Sequence, residues 1–319
     1  MKSLLVFCFA LAAVAAQAQP AVWVSSEKDN ALAVIDAATL VVQGTVPTCK
    51  RPRHMQLLPG GKQVLVACGE SRAADLIDVA TRKSIKRVPL GDDPEAFDLS
   101  PDGKTLYVSN EDEGALSFVD LASGKVLKQV PVGKEPEGVK VSADGKRVYV
   151  TSEVANMVHV IDVATATVLH NIKVGKRPRR MAITPDGAEL WVTNELDASV
   201  SIIATKDYSV IHTIKFALPG AREQDITPVG IVMTKDGKRA FVGMGRGNHV
   251  AFVDVAQRKV TQMVLAGKRV WNVALDKAEA KLYVINGLSD DMTVIDVASG
   301  KALKTVAVGR VPYQALVVE

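Results

Sequence analysis

Short apolar runs rich in Val and Ile alternate with polar turns along most of the 319-residue chain. In one representative stretch the runs cover residues 137–142, 147–151, 157–162 and 168–174, and Ala143-Asp144-Gly145-Lys146 separates the first two. β-Branched runs of this length joined by Asp-Gly and Gly-Lys turns predict antiparallel strands linked by hairpins. The apolar residues do not recur at the three- and four-residue spacing of an amphipathic helix. The chain is therefore predicted to be all-β.

The group of four runs repeats with a period of 42 residues. A triplet similar to Val-Ile-Asp marks the copies, and its aspartates are Asp36, Asp78, Asp120, Asp162, Asp254 and Asp296. The one gap of 92 residues holds Ser201-Ile202-Ile203-Ala204 where a further triplet would fall, so there are seven copies, one of them eight residues longer. Radial repetition of four antiparallel strands predicts a seven-bladed β-propeller. We interpret the aspartates as caps of the following turns rather than as catalytic groups.

The two ends of the repeat array predict how the ring closes. The array begins on a second-strand motif, Val22-Trp23-Val24-Ser25, and ends on a first strand, Gln314 to Val318. We therefore expect the C-terminal strand to complete the N-terminal blade. The first strand of every blade is expected to line the central channel.

The N-terminus has the features of a cleavable secretory signal peptide. Lys2 precedes an apolar run from Leu4 to Ala16, and Ala16-Gln17-Ala18 supplies small residues for cleavage. The run is well short of the ~20 residues that span a bilayer. We predict that residues 1–18 are a signal peptide and that residues 19–319 form a single propeller domain. The protein is expected to be periplasmic, with no membrane span.

Composition and charge exclude several functional classes. Hydrophobic residues make up 48% of the chain and charged residues 23%, as in a globular protein rather than a disordered one. The formal net charge is +4, and +3 once Lys2 is removed, which is too small a surplus to indicate nucleic-acid binding. The basic stretches 50–53 and 176–180 are interpreted as solvated surface, with an anion site as the alternative. We expect a monomer with no nucleic-acid partner.

The cysteines and histidines bear on redox and metal chemistry. Cys49 and Cys68 are the two cysteines left after removal of the signal peptide. A hairpin that turns at Pro59-Gly60-Gly61-Lys62 would place residue 53 roughly opposite Cys68, so the two thiols would lie near each other. In an oxidising compartment we expect a disulfide between them, with two free thiols as the alternative. The histidines do not cluster as metal ligands, and no Cys-x-x-Cys-His motif for covalent haem occurs. No metal site and no intrinsic cofactor are predicted.

Candidate binding residues lie where loops enter the first strands, because these loops share one mouth of the channel. The residues there vary from blade to blade while the frame of the repeat stays constant. A specific small polar ligand or protein partner would explain this variation, and so would drift of exposed loops. The eight extra residues fall within 216–228 on the same face. The selected residues are Arg53, His54, Glu95, Glu137, Arg179, Arg180, Trp271 and Tyr313, with Arg246 and His249 beside them. Acidic residues follow four of the second strands at this mouth, and they are Glu27, Glu111, Glu153 and Glu195.

The second strands carry a recurring motif that resembles a known repeat family. Its copies read Leu106-Tyr107-Val108-Ser109-Asn110, Val148-Tyr149-Val150-Thr151-Ser152, Leu190-Trp191-Val192-Thr193-Asn194 and Leu282-Tyr283-Val284-Ile285-Asn286. These segments resemble the YVTN family of β-propeller repeats, and the resemblance extends over residues 19–319. It implies the propeller fold but not one function, since a fold can carry many functions.

A narrower resemblance lies in the last third of the chain. The segments Gly245-Arg246-Gly247-Asn248-His249-Val250, Gly267-Lys268-Arg269-Val270-Trp271, Ile285-Asn286-Gly287-Leu288-Ser289 and Val308-Gly309-Arg310-Val311-Pro312 carry it. They resemble the β-propeller family associated with catabolism that depends on pyrroloquinoline quinone (PQQ), although Pro312-Tyr313-Gln314 departs from that family's Pro-Trp-Gly. The resemblance implies PQQ only by association, and it implies a co-secreted quinoprotein dehydrogenase or transport component as a partner.

Two functional hypotheses follow from these observations. The first is a non-enzymatic periplasmic binding or scaffold protein that is accessory to PQQ-dependent alcohol catabolism and binds a small polar molecule or a protein at the channel mouth. The alternative is a propeller hydrolase such as a lactonase, with Glu137 or Glu95 as the base and Arg179 and His54 stabilising the oxyanion.

Overall fold

The computed structural model describes residues 20–319, and the predicted signal peptide lies outside the described residues. The described chain forms 28 strands arranged in seven four-stranded antiparallel sheets. Each sheet is one blade, and its innermost strand contacts the innermost strands of the two neighbouring blades. The prediction of a seven-bladed, all-β propeller is confirmed.

Every blade contains four strands, named below from the innermost to the outermost. They are β28 (Pro312–Val318), β1 (Ala21–Ser26), β2 (Ala31–Asp36) and β3 (Val42–Pro47) in blade 1; β4 (Pro52–Leu57), β5 (Gln63–Cys68), β6 (Ala73–Asp78) and β7 (Lys83–Pro89) in blade 2; β8 (Pro94–Leu99), β9 (Thr105–Asn110), β10 (Ala115–Asp120) and β11 (Val126–Pro131) in blade 3; β12 (Pro136–Val141), β13 (Arg147–Ser152), β14 (Met157–Asp162) and β15 (Thr167–Lys173) in blade 4; β16 (Pro178–Ile183), β17 (Glu189–Asn194), β18 (Ser199–Ala204) and β19 (Val210–Lys215) in blade 5; β20 (Ile231–Met233), β21 (Arg239–Gly243), β22 (His249–Asp254) and β23 (Lys259–Leu265) in blade 6; and β24 (Val270–Leu275), β25 (Lys281–Asn286), β26 (Asp291–Asp296) and β27 (Ala302–Ala307) in blade 7. Within residues 20–319, three short 3-10 helices cover Gly69–Ser71, Glu195–Asp197 and Glu223–Asp225.

The ring closes as the ends of the repeat array predict. The C-terminal strand β28 pairs antiparallel with β1, so that Ala21 lies opposite Val318 and Trp23 opposite Leu316. Blade 1 therefore combines strands from both ends of the chain. Closure of this kind ties the two chain ends together, and the edges that remain are the short strands of single blades.

The hydrophobic core lies between adjacent blades rather than at one centre. Between blades 5 and 6, for example, Trp191 and Ile202 pack with Val242 and Ala251, and all four are fully buried. The alternation of strand side chains sends every second apolar residue to one of the two neighbouring blades. Each blade is thus buried on both faces, which explains the continuous apolar runs in the sequence.

The recurring aspartates cap turns, as the sequence pattern indicates. Asp36 Oδ1 accepts hydrogen bonds from the backbone N–H groups of Ala38 (3.0 Å) and Thr39 (2.7 Å). The equivalent Asp162 accepts one from the N–H of Thr165 at 2.9 Å. These donors lower the pKa of the Asp36 carboxyl. The aspartates therefore stabilise the turn between the third and fourth strands of a blade.

The extra residues of the long repeat lie in blade 6. Residues 216–230 form a loop with one 3-10 turn, and the innermost strand that follows, β20, has only three residues. Phe216, Leu218 and Ile226 are buried against blades 5 and 6, so the insertion packs on the core. Val229 and Gly230, which follow the insertion and precede β20, exchange backbone hydrogen bonds with Gly243 of the second strand.

Cys49 and Cys68 are joined by a disulfide, and their Cα atoms are 5.8 Å apart. Cys68 ends β5 and lies opposite Pro52, the first residue of β4. The bond thus fixes the loop that enters β4 to the neighbouring strand. Among the described residues, no helix is long and apolar enough to cross a membrane.

Candidate functional site

Most of the predicted mouth residues meet on the propeller axis. In six blades the second residue of the innermost strand lies at one end of the channel, which we call the upper end. At this residue the pairing with the second strand shifts register, which is a β-bulge. Such a bulge frees the residue from regular pairing and redirects its side chain. We call this set the axial layer, and it consists of Arg53, Glu95, Glu137, Arg179, Trp271 and Tyr313.

One ion cluster in the axial layer joins blades 1, 2 and 3. Arg53 Nε lies 2.9 Å from Glu27 Oε1, and Arg53 Nη1 contacts Glu95. Above them, Arg51 Nη1 lies 2.9 Å from Asp93 Oδ1, and Arg51 Nη2 lies 3.4 Å from Glu95 Oε1. Both carboxylate oxygens of the fully buried Glu95 are therefore paired with guanidinium groups.

A second ion cluster joins blades 4 and 5. Arg179 Nη2 lies 3.2 Å from Glu137 Oε1, and Arg179 Nη1 contacts Glu153. Arg177 Nε lies 2.6 Å from Glu153 Oε2 and 3.3 Å from Glu195 Oε2. Arg179 and the three glutamates are buried, whereas 43% of the Arg177 side chain is exposed. Arg177 is thus the solvent-facing member of this cluster.

Tyr313 connects the two clusters at the centre. Its hydroxyl donates to Glu137 Oε1 at 3.2 Å and accepts a hydrogen bond from Arg180. The Arg53 guanidinium carbon lies 4.5 Å from the centre of the Tyr313 ring, within range of a cation–π contact. Because Tyr313 is 2% exposed, it seals the axis between the clusters.

Trp271 provides a partly exposed aromatic surface beside the second cluster. The guanidinium carbons of Arg269 and Arg179 lie 4.4 and 5.5 Å from its ring centre. A Cβ atom at Gly287 would come within 2.2 Å of Trp271 Cδ1. Glycine after the second strand of blade 7 therefore leaves the space that the indole ring occupies.

Glu137 is held in its charged form. Burial by itself would raise the pKa of its carboxyl, but Arg179, Arg180 and Arg53, together with the Tyr313 hydroxyl, lower that pKa to about 2. A carboxylate with so low a pKa is a weak base. Glu137 is therefore not suited to the role of general base that the alternative hypothesis gave it. Glu95, the other candidate, is fully buried, with Arg51 and Arg53 at its two oxygens.

Glu153 has the opposite environment although it belongs to the same cluster. Burial raises the pKa of its carboxyl to about 7, because the negative charges of Glu137 and Glu195 add to the effect of burial and Arg179 and Arg177 offset only part of it. A carboxyl group with a pKa near neutrality can both accept and return a proton. Perturbed groups of this kind are concentrated at functional sites.

His54 and Arg180 lie below the axial layer. Each follows an axial-layer residue by one position, and both line a cavity of about 700 Å³ in the lower part of the channel. Burial and the nearby charge of Arg180 lower the pKa of His54 to about 3. The structure therefore does not place His54 beside Arg179 as an oxyanion donor, because successive strand residues occupy different levels of the channel.

Arg246 and His249 lie on blade 6, beside the inserted loop. The Arg246 N–H donates to Thr227 Oγ1 at 2.7 Å, and its side chain is exposed. His249 Nδ1 lies 2.6 Å from the carbonyl oxygen of Gly247, within its own turn. These contacts hold the local loop and do not place either side chain in the two ion clusters.

Sequence reasoning did not select Arg51, Arg177, Glu153 or Glu195 as site residues. It treated the basic stretches as solvated surface, which is wrong for Arg53 and Arg179, since these are 8% and 4% exposed. The sequence feature that could have predicted these buried ion pairs is the position of the residues within the repeat. Arg-Pro-Arg occurs at 51–53 and again at 177–179, and acidic residues follow the adjacent second strands. Matching these two patterns blade by blade would have predicted the ion pairs.

Three carboxylates at the first ion cluster lie close enough together to resemble a cation site. Oxygen atoms of Asp93, Glu95 and Glu111 lie within 4.8 Å of one another. However, Arg51 already pairs with Asp93 and Glu95, and Arg53 pairs with Glu95. The guanidinium groups supply the positive charge that a metal would otherwise supply, so we assign no metal here.

Comparison with known families identifies two related propeller groups. Residues 165–318 match the family model described as "Lactonase, 7-bladed beta-propeller". Residues 71–142 match the model described as "YNCE-like beta-propeller". Each match covers less than half of the chain, and no curated protein sequence is significantly similar to it. The lactonase match includes all of blades 5, 6 and 7.

Solved structures share the fold. A periplasmic gluconolactonase from Pseudomonas aeruginosa is 20% identical, with coverage of 94% of this chain and 99% of that chain and a TM-score of 0.80. A protein from Lactobacillus plantarum is 17% identical over the same shares, with a TM-score of 0.79. A hydrazine synthase chain from Kuenenia stuttgartiensis is 23% identical over 86% of this chain and 92% of that chain, with a TM-score of 0.77. Identities this low show the fold alone.

These comparisons overturn the first functional hypothesis. Neither matching family model describes PQQ-associated propellers, and the model over residues 165–318 is that of a lactonase. The interpretation as a non-enzymatic accessory of PQQ-dependent catabolism was therefore wrong. It relied on short loop segments, whereas the family model covers three successive blades. The findings favour the alternative, a lactonase-like hydrolase.

Proposed function

We propose that this protein is a lactonase-like hydrolase that opens a cyclic ester, and that Glu153 is its general base. The lactonase family model over residues 165–318 supports the reaction class. The observation that carries the proposal is that two glutamates of one ion cluster differ in pKa. The pKa of Glu137 is lowered to about 2, and that of Glu153 is raised to about 7. Acid–base catalysis uses groups whose pKa values are driven apart in this way.

Glu153 can activate water because its pKa lies near the operating pH. Arg179 and Arg177 hold its two carboxylate oxygens in place. Because Arg177 is the exposed member, it lies between Glu153 and the solvent from which substrate arrives. A general base fixed in orientation by neighbouring groups loses little entropy in the transition state.

The exposed guanidinium groups are suited to stabilise the oxyanion. Arg177 uses its Nε–H for Glu153, which leaves the Nη groups for a carbonyl oxygen. Arg269 lies on the other side of the cluster, with its Nη2 3.6 Å from Glu195 Oε1. Positive groups placed where negative charge develops contribute a large share of catalysis in acyl transfer.

Trp271 is suited to receive the ring of the substrate. The guanidinium groups of Arg269 and Arg179 lie 4.4 and 5.5 Å from its ring centre, so a ring stacked on the exposed part of the indole would be next to them. Aromatic faces provide a large apolar contact area at low entropic cost. A sugar lactone offers a C–H face for this contact and hydroxyl groups for the surrounding charges.

The proposed reaction balances without a cofactor. Water attacks the lactone carbonyl while Glu153 accepts a proton from it, and the tetrahedral oxyanion is stabilised by Arg177 and Arg269. The ring C–O bond then breaks, and Glu153 returns the proton to the departing alkoxide. The product is the open-chain hydroxy acid, and Glu153 ends in its starting state.

Hydrolysis of δ-gluconolactone tests the proposal. Acid release is measured in a pH-stat and the spontaneous rate is subtracted. We expect Glu153→Gln to lower kcat by about 10²- to 10⁴-fold, the usual range for loss of a general base. Glu27→Gln is the matched control, because Glu27 follows a second strand in blade 1 but pairs with Arg53 in the first cluster. We expect its kcat to stay close to that of the unaltered protein.

Two results would count against the proposal. One is turnover that Glu153→Gln leaves unchanged. The other is a rate no higher than the spontaneous one for δ-gluconolactone and for a panel of simple γ- and δ-lactones.

A further inference from the structure

The cavity below the axial layer takes no part in the proposed reaction. Its volume of about 700 Å³ falls within the ~300–1,000 Å³ typical of small-molecule sites. Exposed residues, among them Lys235 and Lys277, line its lower end, so it opens away from the ion clusters. Tyr313 and the axial layer separate it from the upper face. The two ends of the channel therefore offer two separate sites.

Small side chains on the innermost strands create the cavity. Ala96, Gly138 and Ala274 line it where other blades carry longer residues. A Cβ atom at Gly138 would come within 2.2 Å of the Arg179 carbonyl oxygen. Glycine is thus required there by the close approach of β12 to β16.

One wall of the cavity is polar and has unused hydrogen-bonding capacity. His54 and Gln56 of β4 line this wall. Gln56 Nε2 donates to Asp98 Oδ1 at 3.1 Å, but Gln56 Oε1 is buried and has no hydrogen-bond partner among the described residues. The His54 ring packs edge-on against Phe97, with ring centres 4.8 Å apart. No hydrogen bond occupies its ring nitrogens within the described part of the chain.

The charges in this wall are already compensated. Asp98 Oδ2 lies 3.3 Å from Lys140 Nζ, and Arg180 Nη2 lies 3.0 Å from Glu137 Oε1. His54 is neutral at physiological pH because burial and Arg180 lower its pKa. Lys235, Lys277 and Glu319 at the lower opening are exposed to water, which screens their charges. Deeper in the cavity, a charged ligand would find no free counter-charge on this wall and would lose its hydration. The wall therefore favours a neutral ligand.

The opposite wall is apolar. Val232 and Met233 of blade 6, which faces blade 2 across the ring, line it. A cavity with one polar and one apolar wall is complementary to a molecule whose hydroxyl groups and C–H bonds lie on different faces. Neutral sugars have this property, and their many hydroxyl groups can both donate to Gln56 Oε1 and exchange hydrogen bonds with His54.

We propose that the lower cavity is a second ligand site, for a neutral hydroxylated molecule of monosaccharide size, with hydroxyl groups toward His54 and Gln56 and C–H bonds toward Val232 and Met233. The inference does not rest on the proposed function, because none of these residues belongs to the lactonase site. It would stand if the protein hydrolysed no lactone.

Calorimetric titration with three sugars of similar size tests the site. Glucose is the neutral probe, gluconate the anionic one and glucosamine the cationic one. We expect glucose to bind and both charged sugars to bind at least tenfold more weakly. His54→Phe keeps the contact with Phe97, and Gln56→Leu keeps the volume of the side chain. Each should weaken glucose binding by about tenfold, the effect of losing roughly one hydrogen bond.

Two control variants distinguish glucose binding in this cavity from glucose binding elsewhere on the protein. Trp271→Ala removes the aromatic surface of the upper site and should leave glucose binding unchanged. Ala122→Leu places an apolar side chain on the exposed surface away from the cavity and should also leave glucose binding unchanged. If the cavity variants fail to fold, the ¹⁵N shifts of the His54 ring in the unaltered protein decide instead, because bound glucose should move them.

The proposal is overturned by absence of glucose binding up to tens of millimolar, or by charged sugars binding as tightly as glucose. It is also overturned if Trp271→Ala abolishes binding while His54→Phe and Gln56→Leu preserve it, since the sugar would then occupy the upper face. The proposal is likewise overturned if the ¹⁵N chemical shifts of the His54 ring stay unchanged at saturating glucose.

Discussion

Replacing Glu137 by glutamine tests whether the ion cluster stabilises the propeller as its geometry indicates. Glu137 is 3% exposed and faces Arg179 at 3.2 Å, Arg180 at 3.0 Å and the Tyr313 hydroxyl at 3.2 Å. Glutamine has nearly the same shape but carries no charge. The substitution therefore leaves two buried guanidinium groups with less counter-charge and creates no cavity.

The magnitude follows from the pKa of Glu137. Lowering it from the ordinary 4.5 to about 2 corresponds to about 3 kcal/mol, at ~1.36 kcal/mol per pKa unit. Loss of one partner from a buried ion pair typically costs ~3–5 kcal/mol, which agrees. For a domain of 300 described residues, we expect the melting temperature to fall by about 5 °C at pH 7.

The pH dependence gives the sharper test. Because the pKa of Glu137 is lowered in the folded state, its contribution is fully present above pH 4.5 and is lost as pH falls through about 2. The difference in unfolding free energy between the unaltered protein and Glu137→Gln should therefore be less than about half as large at pH 3 as at pH 7. Urea denaturation at both pH values measures it, with exposed Glu70→Gln as the control for loss of one carboxylate.

Two outcomes would refute this reasoning. If Glu137→Gln costs no more than Glu70→Gln at pH 7, the charge of Glu137 does not stabilise the fold. If the cost is large but the same at pH 3 and pH 7, it arises from side-chain packing and not from ionisation.

Four further predictions concern the site and the chain ends. The lactonase rate should rise with pH to half its plateau near pH 7, because Glu153 must lose its proton to act as a base; a pH-stat profile without this step would exclude it. Gly287→Ala should raise KM with little change in melting temperature, because its Cβ atom would displace Trp271, and steady-state kinetics beside a thermal melt check this. Cys49→Ser should cost about 3 kcal/mol in urea denaturation, since the disulfide closes a loop of 19 residues, and a reductant should affect only the unaltered protein. N-terminal sequencing of the full-length protein expressed in a Gram-negative host should begin at Gln19, and an uncleaved start would refute the predicted signal peptide.

Local sequence signals were sufficient for the fold. The strand predicted over 157–162 is observed as Met157–Asp162, and that predicted over 137–142 as Pro136–Val141. Strand length, apolar content and turn residues are all properties of neighbouring positions, so a repeat of 42 residues displays them seven times. The register at the top of the innermost strands was less accurate. Position 53 was expected opposite Cys68, whereas Pro52 occupies that place.

This one-residue difference between the expected and the observed register comes from a β-bulge that the sequence pattern does not reveal. The bulge releases Arg53 and Arg179 from regular pairing, and their side chains become buried on the axis instead of lying on a solvated face. Whether an arginine is exposed or buried depends on counter-charges from other blades. Arg53 is paired with Glu27, which is 26 residues away in the chain, so a local pattern could not show it.

The amino-acid sequence by itself determined the number of blades, the strand order and the closure of the ring, because these depend on periodicity and turn chemistry. Only the tertiary structure decided which carboxylate could act as a base. Glu137 and Glu153 are the same residue type at one mouth of one channel, yet their pKa values are about 2 and about 7. The difference arises from how many guanidinium and carboxylate groups surround each buried side chain, and residues from several blades supply those groups.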